Sequence, residues 1–346
     1  MHRVAIIFSV LLCLGGCADL QYYAQAARGQ SEIMNRAKPI AEIIDDPTTP
    51  PTLKTQLTKA LEIREFASRE LALPNNQSYR RYADLERPFA IWNVFAAPAL
   101  SLAPKEWCIL FFGCSAYHSY FSHAAAEREA VALRAEGYDV YVAGITAYST
   151  SGWFSDPLFN TMLANSEPDL AAVLFHELAH QRLRAPDDTA FTESFAMAVE
   201  REGVRRWLAA HDGQTEFAGY LERHRRREEV TALLMRYRAR LQTLYSTTLP
   251  DDDKRAQKQA LLDEMRGAYQ KLKANWNDYV GFDRWMQQLN NAKFISVSLY
   301  SDYVPAFEAL LAQQQGNLPA FYRAAETLAR EPKAVRAQKL KALTDK

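Results

Sequence analysis

Cysteine is scarce. Only four of the 346 residues are Cys, at positions 13, 17, 108 and 114, and no two of them form a C-x-x-C pair, so they are poor candidates for a thiolate zinc site. Net charge is lacking too. The 41 Lys and Arg residues balance 41 Asp and Glu, which leaves no basic surplus for nucleic acid. The one basic cluster, ERHRRREE over 222–229, is bracketed by acids and reads as a solvated helix face. There is no repeat of fixed period and no glycine-rich phosphate loop. After the first twenty residues no apolar run is long enough to suggest a membrane span.

Those first residues, MHRVAIIFSVLLCLGGCADL, carry Arg3, an apolar run from Val4 to Leu14, and then Gly15 and Gly16 before Cys17. The run is too short to span a bilayer and reads as a signal peptide over 1–16. Leu14-Gly15-Gly16-Cys17 resembles a bacterial lipobox, which implies cleavage before Cys17 and lipid attachment to it. By the same resemblance, Ala18 rather than an aspartate after the cysteine directs the protein to the outer membrane. The expectation is a chain of residues 17–346 tethered by its lipid at the periplasmic face of the cell envelope. Cys108 and Cys114 remain. In an exported protein they either form a disulfide closing a small loop or stay as two thiols buried in the apolar WCILFFGC.

What the sequence does hold is LFHELAHQ, residues 174–181. Between Leu170 and His180 the ionisable side chains are His176, Glu177 and His180, set among leucine, valine, alanine and phenylalanine. Burying polar groups without partners is costly and burying charge more so, so something must compensate these three. On a helix His176 and His180 project to one side a turn apart, with Glu177 beside them. Two neutral imidazoles so placed can hold one Zn²⁺ and leave room for a third ligand and a water, to which the carboxylate is the general base. The third ligand is expected from TAFTESFAMAV, 189–199, a second apolar helix whose solitary charge is Glu193. Between the helices, RLRAPDDT supplies Pro186 and the cap-forming Asp187, Asp188 and Thr189, which end one helix and start the next. A hairpin results, with Glu193 alongside the histidines. Glu200, seven residues on, lies roughly 10 Å further along the helix. It is too far away to share the ion and is a candidate to orient a histidine or bind a substrate amine.

The remaining chain predicts an α+β fold, predominantly α, in one domain. Residues 20–73 read as helices broken at DDPTTPPT. PFAIWNVFA, CILFFGC and YDVYVAGITAYS read as strands, and 121–137 as a helix. The last strand is expected to border the cleft and to hold an extended peptide along its edge. Residues 214–275 read as a long helical hairpin, and a helical tail follows.

Five segments in order, YADLERPFAIWNVFAAP (82–98), GYDVYVAGITAYSTSGWFSDPL (137–158), LFHELAHQ, FTESFA (191–196) and YSDYVPAFEAL (300–310), together resemble a bacterial family of zinc aminopeptidases, lipoproteins with a gluzincin-like HExxH…E site. The resemblance spans nearly the whole chain after the leader. It implies a zincin-like core with a small sheet bordering the HExxH helix, zinc on His176, His180 and Glu193, and Glu177 as base. The chain departs from better-known gluzincins in its short spacer between His180 and Glu193, and in having Met197 where those carry an Asp. The expected function is zinc-dependent peptide hydrolysis, as an aminopeptidase. Tyr303 is the leading candidate to stabilise the oxyanion, with Tyr300, Tyr148, His118 and His123 behind it. Glu200 and Asp156 are candidates to hold the substrate ammonium, and Tyr148 to contact the peptide. Two rivals stand beside this reading: a zinc endopeptidase acting on envelope proteins, and a non-catalytic lipoprotein scaffold with a structural metal. The lipid anchor is tested separately: cells labelled with radioactive palmitate should mark the wild-type protein and leave the Cys17→Ser variant unlabelled.

Overall fold

The computed structural model describes residues 22–344 apart from 110–112, 151–153, 165, 212–213, 278 and 299–302. The leader, Cys17, Trp153 and Tyr300 therefore lie outside the described residues. Helix α1 covers 22–36 and is followed by β1 (Lys38–Pro39), α2 (Ile40–Asp45) and α3 (Pro51–Arg69). Pro51 opens α3, where a missing N–H costs nothing. Next come β2 (Arg81–Ala83), β3 (Ile91–Pro98), β4 (Trp107–Ile109), β5 (Gly113–Ser115) and β6 (His118–Tyr120), then α4 (His123–Ala135), β7 (Tyr138–Ile145), β8 (Leu158–Phe159) and α5 (Asn160–Leu163). The helical half runs through α6 (Glu167–Arg182), α7 (Thr189–Ala210), α8 (Gln214–Tyr245), α9 (Asp251–Lys273), α10 (Asp283–Gln287), α11 (Asn291–Ser298), α12 (Val304–Gln313), α13 (Leu318–Ala329) and α14 (Lys333–Thr344). Helices predominate and the sheets are small, an α+β arrangement.

Two strand expectations change. CILFFGC is a hairpin rather than one strand: Cys108 and Cys114 face each other across β4 and β5 and are joined by a disulfide. A bridge over six positions requires the chain to double back. The strand expected over YDVYVAGITAYS stops at Ile145, and the four residues after it turn away.

The sheet that matters for the site has the order β6-β3-β7, with β3 antiparallel to both neighbours. Side chains alternate between its faces. Trp92, Val94 and Ala96 pack with Val140 against Ala126, Ala130 and Leu133 of α4. On the other face Phe95 and Ala97 meet Ala292 and Ile295 of α11. Further along β3 on that second face stand Asn93 and Ile91, which front an open cleft.

The main core is built on α3, α6, α7 and the tail helices α12 to α14. α6 and α7 form an antiparallel pair in close contact, and Gly203 is what lets them approach: a Cβ there would meet Phe175 Cδ2 at 2.6 Å and Leu71 Cδ1 at 2.8 Å. A second core lies between α8 and α9 and takes in Trp276, Met286 and Phe294. Trp276 donates to Glu229 at 2.8 Å and Tyr237 to Glu264 at 3.0 Å, so the two long helices run in opposite directions. This hairpin is pinned to the sheet. Lys258 reaches Asp139 Oδ2 at 2.5 Å, and Asn291 Nδ2 reaches the carbonyls of Pro98, Ala99 and Ser101 at 2.9–3.0 Å.

The turn between α6 and α7 is held by charge. Asp188 caps α7 by accepting from Phe191 N at 3.1 Å, and its other oxygen takes Arg336 Nη1 at 3.0 Å. Both side chains are almost fully buried, at 2% and 3% exposed, and Arg336 also donates to the carbonyls of Ala329 and Glu331. Removing one partner of such a pair leaves the other charge stranded, at a cost of about 3–5 kcal/mol. Arg336→Met should therefore lower the melting temperature by several degrees, and adding Asp188→Asn to it should restore part of the loss, both read by thermal unfolding.

Candidate metal centre

α6 is apolar on every side because it is enclosed: Leu170, Leu174, Phe175 and Leu178 are all buried. Pro168 sits in its first turn, and the acidic Glu167 and Asp169 there suit the positive end of the helix. His176 and His180 point together out of this helix with their rings edge to face, 4.8 Å between centroids. Their Nε2 atoms are 3.2 Å apart. Glu193, in the second turn of α7, brings Oε2 to 3.4 Å from His176 Nε2 and 3.7 Å from His180 Nε2. In a tetrahedron with metal–ligand bonds of about 2.0–2.1 Å, ligand atoms are roughly 3.3 Å apart. The three residues thus meet the spacing a single ion requires, and they are the cluster of that kind among the described residues.

The surroundings fit the same ion. His176 Nδ1 lies 3.0 Å from Glu200 Oε2, an acceptor that favours the proton on Nδ1 and so frees Nε2 to ligate an ion. Glu200 is in turn approached by the Tyr220 hydroxyl at 3.5 Å and His224 Nε2 at 3.8 Å. Burial pushes the His180 imidazole down to about 4, with help from His176, so it is a neutral lone-pair donor. Burial opposes charge on His176 as well, but the Glu193 and Glu200 carboxylates override it and hold its pKa well above the ordinary value. Burial likewise works against the Glu193 and Glu200 carboxylates, and the imidazoles keep both below the ordinary range. The cluster therefore favours positive charge at its centre. Glu177 is the exception: burial raises its carboxyl to about 7, only partly countered by His176.

A cleft of about 520 Å³ opens in front of these groups, walled by His176, Glu177, His180 and Glu193 on one side and by the face of the sheet on the other. The wall is the sheet's face, through Ile91, Asn93, Ser119 and Ile145. The strand expected to border the cleft, β7, does so at its end through Ile145, and the residues after it, Ala147, Tyr148 and Ser149, continue the wall. Tyr148 lines the cleft with its hydroxyl donating to Gln30 at 2.6 Å. Tyr303 is elsewhere. It caps α12, its N–H donates to Ser194 Oγ at 3.1 Å, its ring packs on the main core, and it is not among the described residues lining the cleft. Asp156 is buried and accepts from Ser149 and Thr150 at 2.7–3.0 Å, so it serves its own loop. His118 pairs with Glu129 at 3.1 Å and stacks between Tyr22 and Trp107, and His123 is exposed at the start of α4; neither lines the cleft.

Sequence reasoning missed two cleft residues. Tyr117, between β5 and β6, lines the cleft, and its hydroxyl is held protonated by burial and then by the nearby Glu193 and Glu177 charges. Arg184, exposed on the α6–α7 turn, is a cation close enough to act on Glu193, His180 and Tyr117. No motif marks either residue. Behind α6, a buried Arg64 ties down the loop before β2 through the carbonyls of Ser78 and Pro74, both at 2.8 Å, and Asn76 and Ser78 of that loop bond Gln181, next to His180.

A family model described as "Putative aminopeptidase" matches residues 21–340 of the chain. No curated protein and no solved structure matches it. If the site is a metal centre, Glu193→Ala should lose high-affinity zinc binding, and Glu200→Gln should weaken it about 10–100-fold by freeing His176. Competition with a chromophoric chelator would measure both.

Proposed function

The chain belongs to the family described as "Putative aminopeptidase", and on that premise we propose that it is a zinc-dependent aminopeptidase built on a zincin-like core. The observation that carries this reading is the convergence of His176 Nε2, His180 Nε2 and Glu193 Oε2 beside a buried carboxylate, on the wall of an open cleft. Two imidazole nitrogens and one carboxylate oxygen are a donor set that suits zinc and leaves a coordination position free. When bound, zinc polarises a carbonyl and makes a water acidic enough to lose its proton near neutrality.

Glu177 performs the proton transfers. Its carboxyl, raised to about 7 by burial, can take a proton from the attacking water and return one to the leaving amine at neutral pH. Tyr117 keeps its O–H and can donate it to the substrate oxygen as negative charge builds there. In this role it replaces Tyr303, which the cleft does not include. Glu200 acts as a positioning residue through His176, the role that an Asp four residues after the ligand glutamate would otherwise fill. The peptide main chain lies in the cleft against the sheet face, where Asn93 and Ser119 present polar groups. We place the acyl anchor on Cys17 and the protein at the periplasmic face of the outer membrane, on the support of the leader sequence.

Glu177→Gln separates this proposal from its rivals. The variant should retain one zinc per chain by metal analysis and lose hydrolysis of free-amine peptides by at least a factor of 100 in kcat. A scaffold would show no hydrolysis to lose. An endopeptidase would cleave N-acetylated peptides as well as free ones, whereas the aminopeptidase should leave them intact.

A further inference from the structure

The metal centre is bordered by two cavities. Besides the cleft under the sheet there is a second space of about 570 Å³, and His176 and Glu193 belong to the walls of both. The second cavity lies between α7, α8 and the α10–α11 segment. Its lining is chiefly apolar, with Val230 and Leu234 from α8, Phe282 and Trp285 from α10 and the residue before it, and Val297 from α11. The two lobes differ in character. The cleft is fronted by strand residues and by amide and hydroxyl groups such as Asn93 and Ser119, which suit a peptide main chain. The second cavity presents large side chains to a space within the usual range for small-ligand sites, about 300–1,000 Å³.

We propose that this second cavity is the subsite for the side chain of the substrate's N-terminal residue, and that it selects a large apolar side chain, aromatic or long aliphatic. The inference rests on the peptidase reading given above and names its substrate class. Charge sets the direction of the peptide. Glu193 and Glu200 are among the residues lining the second cavity, so its acidic end, where it meets the metal centre, favours the N-terminal ammonium. Arg227 also reaches the second cavity, but it is exposed at the rim, where solvent screens it. This arrangement gives the long helix α8 a purpose: it supplies a wall against which the side chain is buried. Transfer of several methylene groups from water into such a pocket discriminates strongly between substrates.

The test uses the zinc-loaded full-length protein and peptides X-Ala-Ala-Ala with X as Phe, Leu, Ala, Asp or Lys. Phe and Leu should exceed Ala in kcat/KM by on the order of 100-fold. Thr231→Trp, which fills the cavity from α8, should reduce that ratio at least tenfold. Val297→Trp, filling it from α11, should do the same if the first variant folds poorly. Calorimetric binding of phenylalanine amide and alanine amide to the Glu177→Gln protein reads the pocket without turnover, with the Phe compound expected to bind at least tenfold more tightly. Hydrolysis of all five peptides at similar rates, or equal loss on every peptide in the filled variants, overturns the subsite and leaves the peptidase reading intact. Selective binding of phenylalanine amide without hydrolysis of any peptide instead overturns the peptidase reading and retains the pocket. Neither selective binding nor hydrolysis overturns both.

Discussion

Three carboxylates and two imidazoles share one enclosed space between α6 and α7, and the rest of the molecule is arranged around that fact. Apolar packing alone would exclude such groups, since each charge loses its hydration on burial. What makes the cluster tolerable is that the groups compensate one another and converge on a point where positive charge is favoured. His176 links Glu193 to Glu200, His180 stays neutral, and Glu177 is left as the carboxyl that burial pushes towards neutrality. Under the proposed reading, zinc supplies the missing charge at that point.

Such a cluster works only if its two helices keep their relative position, and several buried contacts serve that end. Gly203 permits close approach of α7 to α6. The Asp188–Arg336 pair joins the start of α7 to the tail helix α14, so the C-terminal residues help to place Glu193. Arg64 and Gln181 brace the end of α6 next to His180. Helix α8 contributes His224 and Tyr220 to the surroundings of Glu200 and walls the second cavity. Elements distant in sequence thus meet at the site from three directions.

The site was legible in the sequence where a chemical oddity sat in a regular pattern. Two histidines and a glutamate in an apolar helix, then a lone glutamate in a second apolar helix with capping residues between, need no tertiary information, because helical periodicity decides which side chains share a side. Glu200 was legible as a helix-face residue, but whether it would face an amine or an imidazole depended on the rotation of α7 against α6. Tyr117 and Arg184 carried no signal, since a tyrosine after a short strand and an arginine on a turn are ordinary wherever they occur. Tyr303, half-buried at the start of α12, packs against the main core instead of lining the cleft. CILFFGC was read as a strand from its apolar run; the covalent link between its ends makes it a hairpin.

By itself, then, the chain determined its helix-rich class, the spacing of His176, Glu177 and His180, and the identity of their acidic partner, because these follow from local periodicity and from the cost of burying charge. Only the tertiary structure decided which face of the sheet fronts the cleft, which tyrosine reaches it, and that a second apolar cavity adjoins the metal ligands. Those outcomes depend on how α4, α11 and the α8–α9 hairpin pack against one another. That packing sums many small contacts between residues far apart in the chain, and no short stretch of sequence records it.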